Sequence, residues 1–174
     1  SFDVREMNEG LAARLCCVRV TRTDLRDLTE LVRAACVRGK QGKLMEMASL
    51  DRKFHTQLVR LSGNSMLVRL ATNYRVLGKV IQLTRDPDEV LAEHLSVLKA
   101  IEEGQPDDAE RLMRAHIRTG KRSLEQELAR NRVVPKWLGD HTEPVLGTEI
   151  MGETERLSIG KTVRSTAHGS LAPM

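Results

Sequence analysis

The chain has 174 residues, 40% of them apolar and 30% charged, which is enough for one domain with a real core. Aromatic residues make up only 2%, so the core has to be built from Leu, Val, Ile, Met and Ala, a composition that favours helices over pleated sheet. A formal charge of +4, with Lys and Arg interleaved among Asp and Glu, is too small to argue for nucleic acid by itself.

Helical spacing begins almost at once. Val4, Met7, Leu11, Leu15 and Val18 recur every three or four residues and predict an inward stripe on a first helix. Thr21 and Asp24 read as a capping box opening a second helix, with Leu25, Leu28, Leu31, Val32 and Ala35 inward and Gly39 and Gly42 ending it. A third helix is expected from about Lys43 to Leu61, carrying Met47, Leu50, Phe54, Leu58 and Val59. Ser62-Gly63-Asn64 is a turn, and Asn64 can cap a fourth helix bearing Met66, Leu67, Leu70, Leu77 and Ile81. Asp86-Pro87 restarts the chain as an N-cap with proline in the first turn of a fifth helix, which ends at Gly104. Pro106 and Asp107 open a sixth that runs past Leu124 and Leu128. The expectation is an all-α antiparallel bundle of about six helices over residues 2–130. Residues 131–174 keep no period and are expected to form an irregular tail that docks, if at all, through Trp137.

Cys16, Cys17 and Cys36 do not make a disulfide framework and contain no Cys-x-x-Cys pair, so a reduced, cytoplasmic setting is expected. No signal-peptide pattern or membrane-spanning run is present. Because Ser1 to Val4 already lie in helical phase, an upstream segment is expected to be missing.

The informative residues are polar ones in apolar register. Asp51 lies four after Met47, and His55 follows it by four, so both share one helix face. His94 sits between Leu91 and Leu95, in phase with Leu98 and Ile101, and His116 sits beside Leu112, Met113 and Ile117. A buried carboxylate needs a cation or donors, and three neutral imidazoles with one carboxylate suit a divalent first-row metal. The other reading stands beside it: inward histidines hydrogen-bonded in the core, with Asp51 paired to Arg52, Arg114 or a histidine. Sequence pattern alone does not choose between them. Cys16 and Cys17 read as small packing residues, Tyr74 as core packing with a polar tip, and His141 and His168 receive no role.

Taken in order, these residues resemble the FCD domain, the C-terminal effector domain of the FadR branch of GntR-type regulators. The likeness covers roughly Phe2 to Leu128. It rests on Val4-Arg5 with Glu9, Leu50-Asp51-Arg52-Lys53-Phe54-His55, Ser62-Gly63-Asn64, Glu93-His94 leading to Ala100-Ile101, and Met113-Arg114-Ala115-His116-Ile117. The resemblance implies a metal held by the positions of Asp51, His55, His94 and His116: zinc first, with nickel or manganese tolerated. It also implies a small carboxylate effector at or beside the metal, and dimerisation. Arg5 matches an arginine that faces the pocket in relatives; an i,i+4 salt bridge to Glu9 on a solvated face is the equal alternative. Asn73 shares a stripe with Leu70 and Leu77 and is a second candidate for ligand binding, or for satisfying a nearby backbone. The winged helix-turn-helix domain that precedes the FCD domain in relatives is not in this sequence, so DNA contact is expected only through such an attached domain. The segment around Arg85 to Asp88 is a little shorter than in typical members.

Two functions compete. A sensor would use metal and effector to bias an attached DNA-binding domain. A metal-dependent hydrolase or lyase would use the metal to activate water, but no spare Glu or His stands out as a general base. An enzyme is therefore not expected, nor is a catalytic residue assigned. A purely structural dimerisation module, with its histidines merely packed, is the third possibility.

Overall fold

The computed structural model describes residues 2–74 and 85–130, with the side chains of residues 73 and 74 outside that description. All the regular elements described are helices: α1 (Phe2–Cys16), α2 (Arg22–Lys40), α3 (Leu44–Leu61), α4 (Ser65–Tyr74), α5 (Pro87–Glu102) and α6 (Pro106–Ala129). The helix starts follow local chemistry. Thr21 and Asp24 form a reciprocal capping box at α2, Asn64 Oδ1 accepts the amides of Met66 and Leu67 at α4, and Asp86 accepts those of Asp88 and Glu89 at α5. Gly104, at φ 65°, makes the left-handed turn that returns the chain from α5 into α6. Gly39 lies within α2 rather than ending it, and Gly42, at φ 72°, supplies the turn just beyond.

Helix α1 runs against α6, α2 against α3 and α5, and α5 against α6. Three cross-helix ion pairs fix the first pairing as antiparallel: Asp3 with Lys121, Glu6 with Arg118, and Arg14 with Asp107, partner numbers falling as those on α1 rise. Exposed pairs of this kind contribute little energy and mainly report register. The core is a continuous cluster that includes Ala12, Leu28, Phe54, Leu58, Val97, Ile101, Met113 and Ile117.

The inward face of α1 differs from the expected one. Val4, Met7, Leu11 and Val18 are exposed, Met7 by 63%, and only Leu15 of the predicted stripe packs against the core. The buried face is Asn8, Glu9, Gly10, Ala12, Ala13 and Cys16. Small side chains there let neighbouring helices approach closely. Cys16 Sγ reaches the Leu58 carbonyl at 3.4 Å, and a Cβ on Gly10 would stand 2.7 Å from Arg114 Cγ. Close backbone approach decides which side of α1 turns inward, and the larger apolar residues are left outside.

The second half of the expected fourth helix, with Leu77 and Ile81, and the tail with Trp137, His141 and His168 lie outside the described residues.

Candidate metal centre

Helices α3, α5 and α6 each turn one imidazole to a common point. Their heptad-like apolar spacing buries His55, His94 and His116 together with Asp51, one turn before His55 on α3. The three Nε2 atoms form a nearly equilateral triangle: 3.3 Å from His94 to His55, 3.2 Å from His94 to His116, and 3.3 Å from His116 to His55. Asp51 closes one side, with Oδ2 3.4 Å from His55 Nε2 and Oδ1 3.6 Å from His94 Nε2. The four residues singled out in the sequence are therefore brought together. Asp51 approaches histidines rather than the Arg52 or Arg114 considered beside them.

Donors and acceptors do not balance in this cluster. Burial first, and then the neighbouring His116 and His55, push the His94 pKa well below the usual histidine range. Burial also lowers that of His116, against the raising contact with Glu93. Neutral rings carry one N–H each. His116 Nδ1 lies 2.7 Å from Glu93 Oε2, a hydrogen bond only that ring can donate, so its Nε2 turns a lone pair inward. Buried Asp51 Oδ1 has no hydrogen-bond partner. Acceptors crowded at 3.2 to 3.6 Å repel one another unless a shared proton or a cation lies among them. Their spacing suits one: the centre of the nitrogen triangle is about 1.9 Å from each Nε2, close to the roughly 2.0–2.1 Å of a zinc–imidazole bond. His55, His94 and His116 can thus hold a metal ion.

Behind the imidazoles stand two carboxylates that the sequence did not single out as part of the site. Glu9, on the small-residue face of α1, is fully buried, with Oε2 2.7 Å from His55 Nδ1 and Oε1 accepting from Arg5 Nε at 2.8 Å. Burial works to raise its pKa, but the Arg5 charge and then His55 outweigh it and leave it at about 2. Glu93 on α5 accepts from His116 and, through both oxygens, from Arg85. Burial is likewise outweighed there, by His116 first and Arg85 next, and its pKa also falls to about 2. A signal for Glu9 was present in its i+3, i+4 and i+7 relation to Ala12, Ala13 and Cys16, a stripe too small-sided to be read as apolar. Glu93 adjoins His94 in sequence but reaches His116, a pairing that only the packing of α5 on α6 reveals.

Arg5 makes the i,i+4 pair with Glu9, on a buried rather than a solvated face. Asn73 lies in α4, and its side chain is outside the described residues. Burial pushes the Cys16 thiol up to about 12, in keeping with a packing role.

The chain matches the FCD domain family over residues 1–119. It is 31% identical over 135 residues to the Glc operon transcriptional activator of Escherichia coli strain K12, an alignment covering 71% of this chain and 53% of that protein. A solved structure described as Streptococcus agalactiae GntR superimposes with a TM-score of 0.62 at 29% identity, over 70% of this chain and 56% of the other. The chain thus spans about half the length of the relatives it matches. Since the family match takes in the helices that bring the four polar residues together, the chain belongs to the FCD domain family of GntR-type transcription regulators.

Proposed function

We propose that residues 2–130 form the effector-sensing domain of a GntR-type regulator of the FadR branch. In this reading a divalent metal, zinc first and nickel or manganese as alternatives, is held by Asp51, His55, His94 and His116. The observation that carries it is the convergence of three Nε2 atoms within 3.3 Å of one another beside a buried carboxylate oxygen without a partner. Four protein ligands leave positions on a five- or six-coordinate ion for a small carboxylate such as a hydroxy, keto or sugar acid. When bound, the metal supplies a Lewis-acid anchor for that carboxylate.

The chain's own residues do the rest. Arg5 and Arg85 carry positive charge to the centre, where both act on His94; Arg5, as anchor for the effector's carboxylate, and Asn73 are the proposed ligand-binding residues. Differential affinity of effector for two arrangements of the bundle would bias an attached DNA-binding domain in a cytoplasmic regulator. Among the described residues no helix is long and apolar enough to cross a membrane. A homodimer is supported by the exposed apolar residues of the touching helices α1 and α4: Val4, Met7 and Leu11 on one, Met66 and Leu70 on the other. That the relatives are transcription regulators favours the sensor over a metal-dependent hydrolase or lyase.

The test is elemental analysis of freshly purified protein, followed by thermal unfolding with and without chelator and across a panel of small organic acids. About one equivalent of metal is expected, with a midpoint raised by metal and again by certain acids that are recovered unchanged. Protein that takes up no divalent metal, or that consumes an acid, overturns the reading.

A further inference from the structure

The two carboxylates behind the histidines each occupy the same kind of place. Each lies between an arginine and the Nδ1 of one candidate ligand, on the side of the ring away from the donor triangle. A neutral imidazole has a single N–H, and the group facing one ring nitrogen decides which nitrogen keeps the proton. Carboxylates at Nδ1 hold the proton there and leave Nε2 as a lone-pair donor, and they orient the ring at the same time.

The two contacts differ in form. Glu93 makes a true hydrogen bond to His116, and its Oε2 also accepts from Arg85 Nη1 at 2.9 Å. Glu9 lies equally near His55, at 2.7 Å, but that contact is not aligned as a hydrogen bond. Glu93 keeps a 30% exposed side chain, whereas Glu9 is almost wholly enclosed. The carboxylates stand on α5 and α1, and the rings they address stand on α6 and α3. Each therefore ties a ligand to a different helix from its own.

We propose that Glu93 and Glu9 are positioning residues of the metal centre: Glu93, steadied by Arg85, fixes the ring and tautomer of His116, and Glu9, steadied by Arg5, does the same for His55 through its charge and close contact. This rests on the reading of the cluster as a metal site. Two buried ion pairs that merely brace the bundle would share the same contacts, so the test has to separate metal affinity from folding.

Glu93→Gln, Glu93→Ala and Glu9→Gln are compared with the unaltered chain. Zinc affinity is read by competition with a chromophoric chelator, the ligand field by the visible absorption of the Co(II) form, and metal-free stability by urea unfolding. Glutamine keeps a carbonyl oxygen for the Nδ1 proton but removes the charge, so Glu93→Gln is expected to bind zinc about tenfold more weakly. Glu93→Ala is expected to fall further, within the 10–100-fold range of lost outer contacts. A shifted Co(II) absorption completes the expected result, in a metal-free Glu93→Gln protein that still unfolds cooperatively in urea at a midpoint lowered by loss of the charge that faces Arg85 and His116. Zinc affinity within twofold of the unaltered chain in Glu93→Gln and Glu93→Ala, with the same Co(II) spectrum, overturns the inference while leaving the metal site intact. If the unaltered chain takes up neither zinc nor cobalt, the site and the inference fall together. Should Glu9→Gln fail to fold, the variants of the partly exposed Glu93 decide the outcome.

Discussion

The ring of Phe54 lies against the imidazole of His94, centroids 4.4 Å apart and planes inclined by 50°, and both residues are shut off from water. Phe54 thus joins the apolar core to the polar cluster, since it also meets His55 edge-on at 5.1 Å. Phe54→Ala should destabilise the metal-free chain by about 3–5 kcal/mol in urea unfolding. It should also weaken metal binding, because two ligand rings lose the wall that orients them. Unchanged zinc affinity in a folded Phe54→Ala protein would show that the rings are held by their polar contacts alone.

Asp51 gives a prediction of opposite signs. Its buried Oδ1 is unpartnered, so without metal the carboxylate carries the cost of a buried acceptor that no donor satisfies. Asp51→Asn should leave the metal-free protein as stable as before, or raise its urea midpoint. The same change should weaken zinc binding at least tenfold, as judged by chelator competition. A loss of metal-free stability comparable to a core deletion would show that Asp51 is paired without metal.

Acid should destabilise the metal-free protein in two stages. His94 and His116 have native pKa values below the unfolded one, so the unfolded chain takes up protons first. Their contribution is present in full above about pH 6.5 and is lost as pH falls below it, by up to about 1.4 kcal/mol per pH unit for each histidine. Glu9 and Glu93, lowered to about 2, add stability that is present above the ordinary carboxyl range and is lost as pH falls from about 4.5 toward 2. Urea unfolding from pH 8 to 4 in chelator should show stability falling from near pH 6.5 downward. A rise on acidification between pH 7 and 5 would contradict the neutral, buried histidines.

The outward apolar face of α1 should govern association. Met7→Glu places a charge in the middle of Val4, Met7 and Leu11, all exposed in the single chain. Sedimentation should show a dimer for the unaltered protein and a monomer for the variant. Monomer stability should change by no more than about 0.5 kcal/mol, as for other surface substitutions. A variant that still dimerises with unaltered affinity would place the interface elsewhere.

How much of this was legible in the sequence follows from the range of the interactions involved. Helix boundaries were, because caps act over three or four residues: Thr21 with Asp24, Asn64 with the amides that follow it, Asp86 before Pro87. The membership of Asp51, His55, His94 and His116 in one apolar register was also legible, since side-chain direction along a helix has a fixed period. Their convergence was not. It depends on the rotation and height at which α3, α5 and α6 pack, which no single helix encodes. The same limit explains the inverted face of α1. Hydrophobic period counts large apolar residues, whereas Gly10, Ala12 and Ala13 turn inward because they admit the neighbouring helices at close range. Glu9 and Glu93 reach His55 and His116 over separations of 46 and 23 residues, so which ring each one meets is decided by the tertiary packing, even where the small-residue stripe of α1 marks Glu9 as inward.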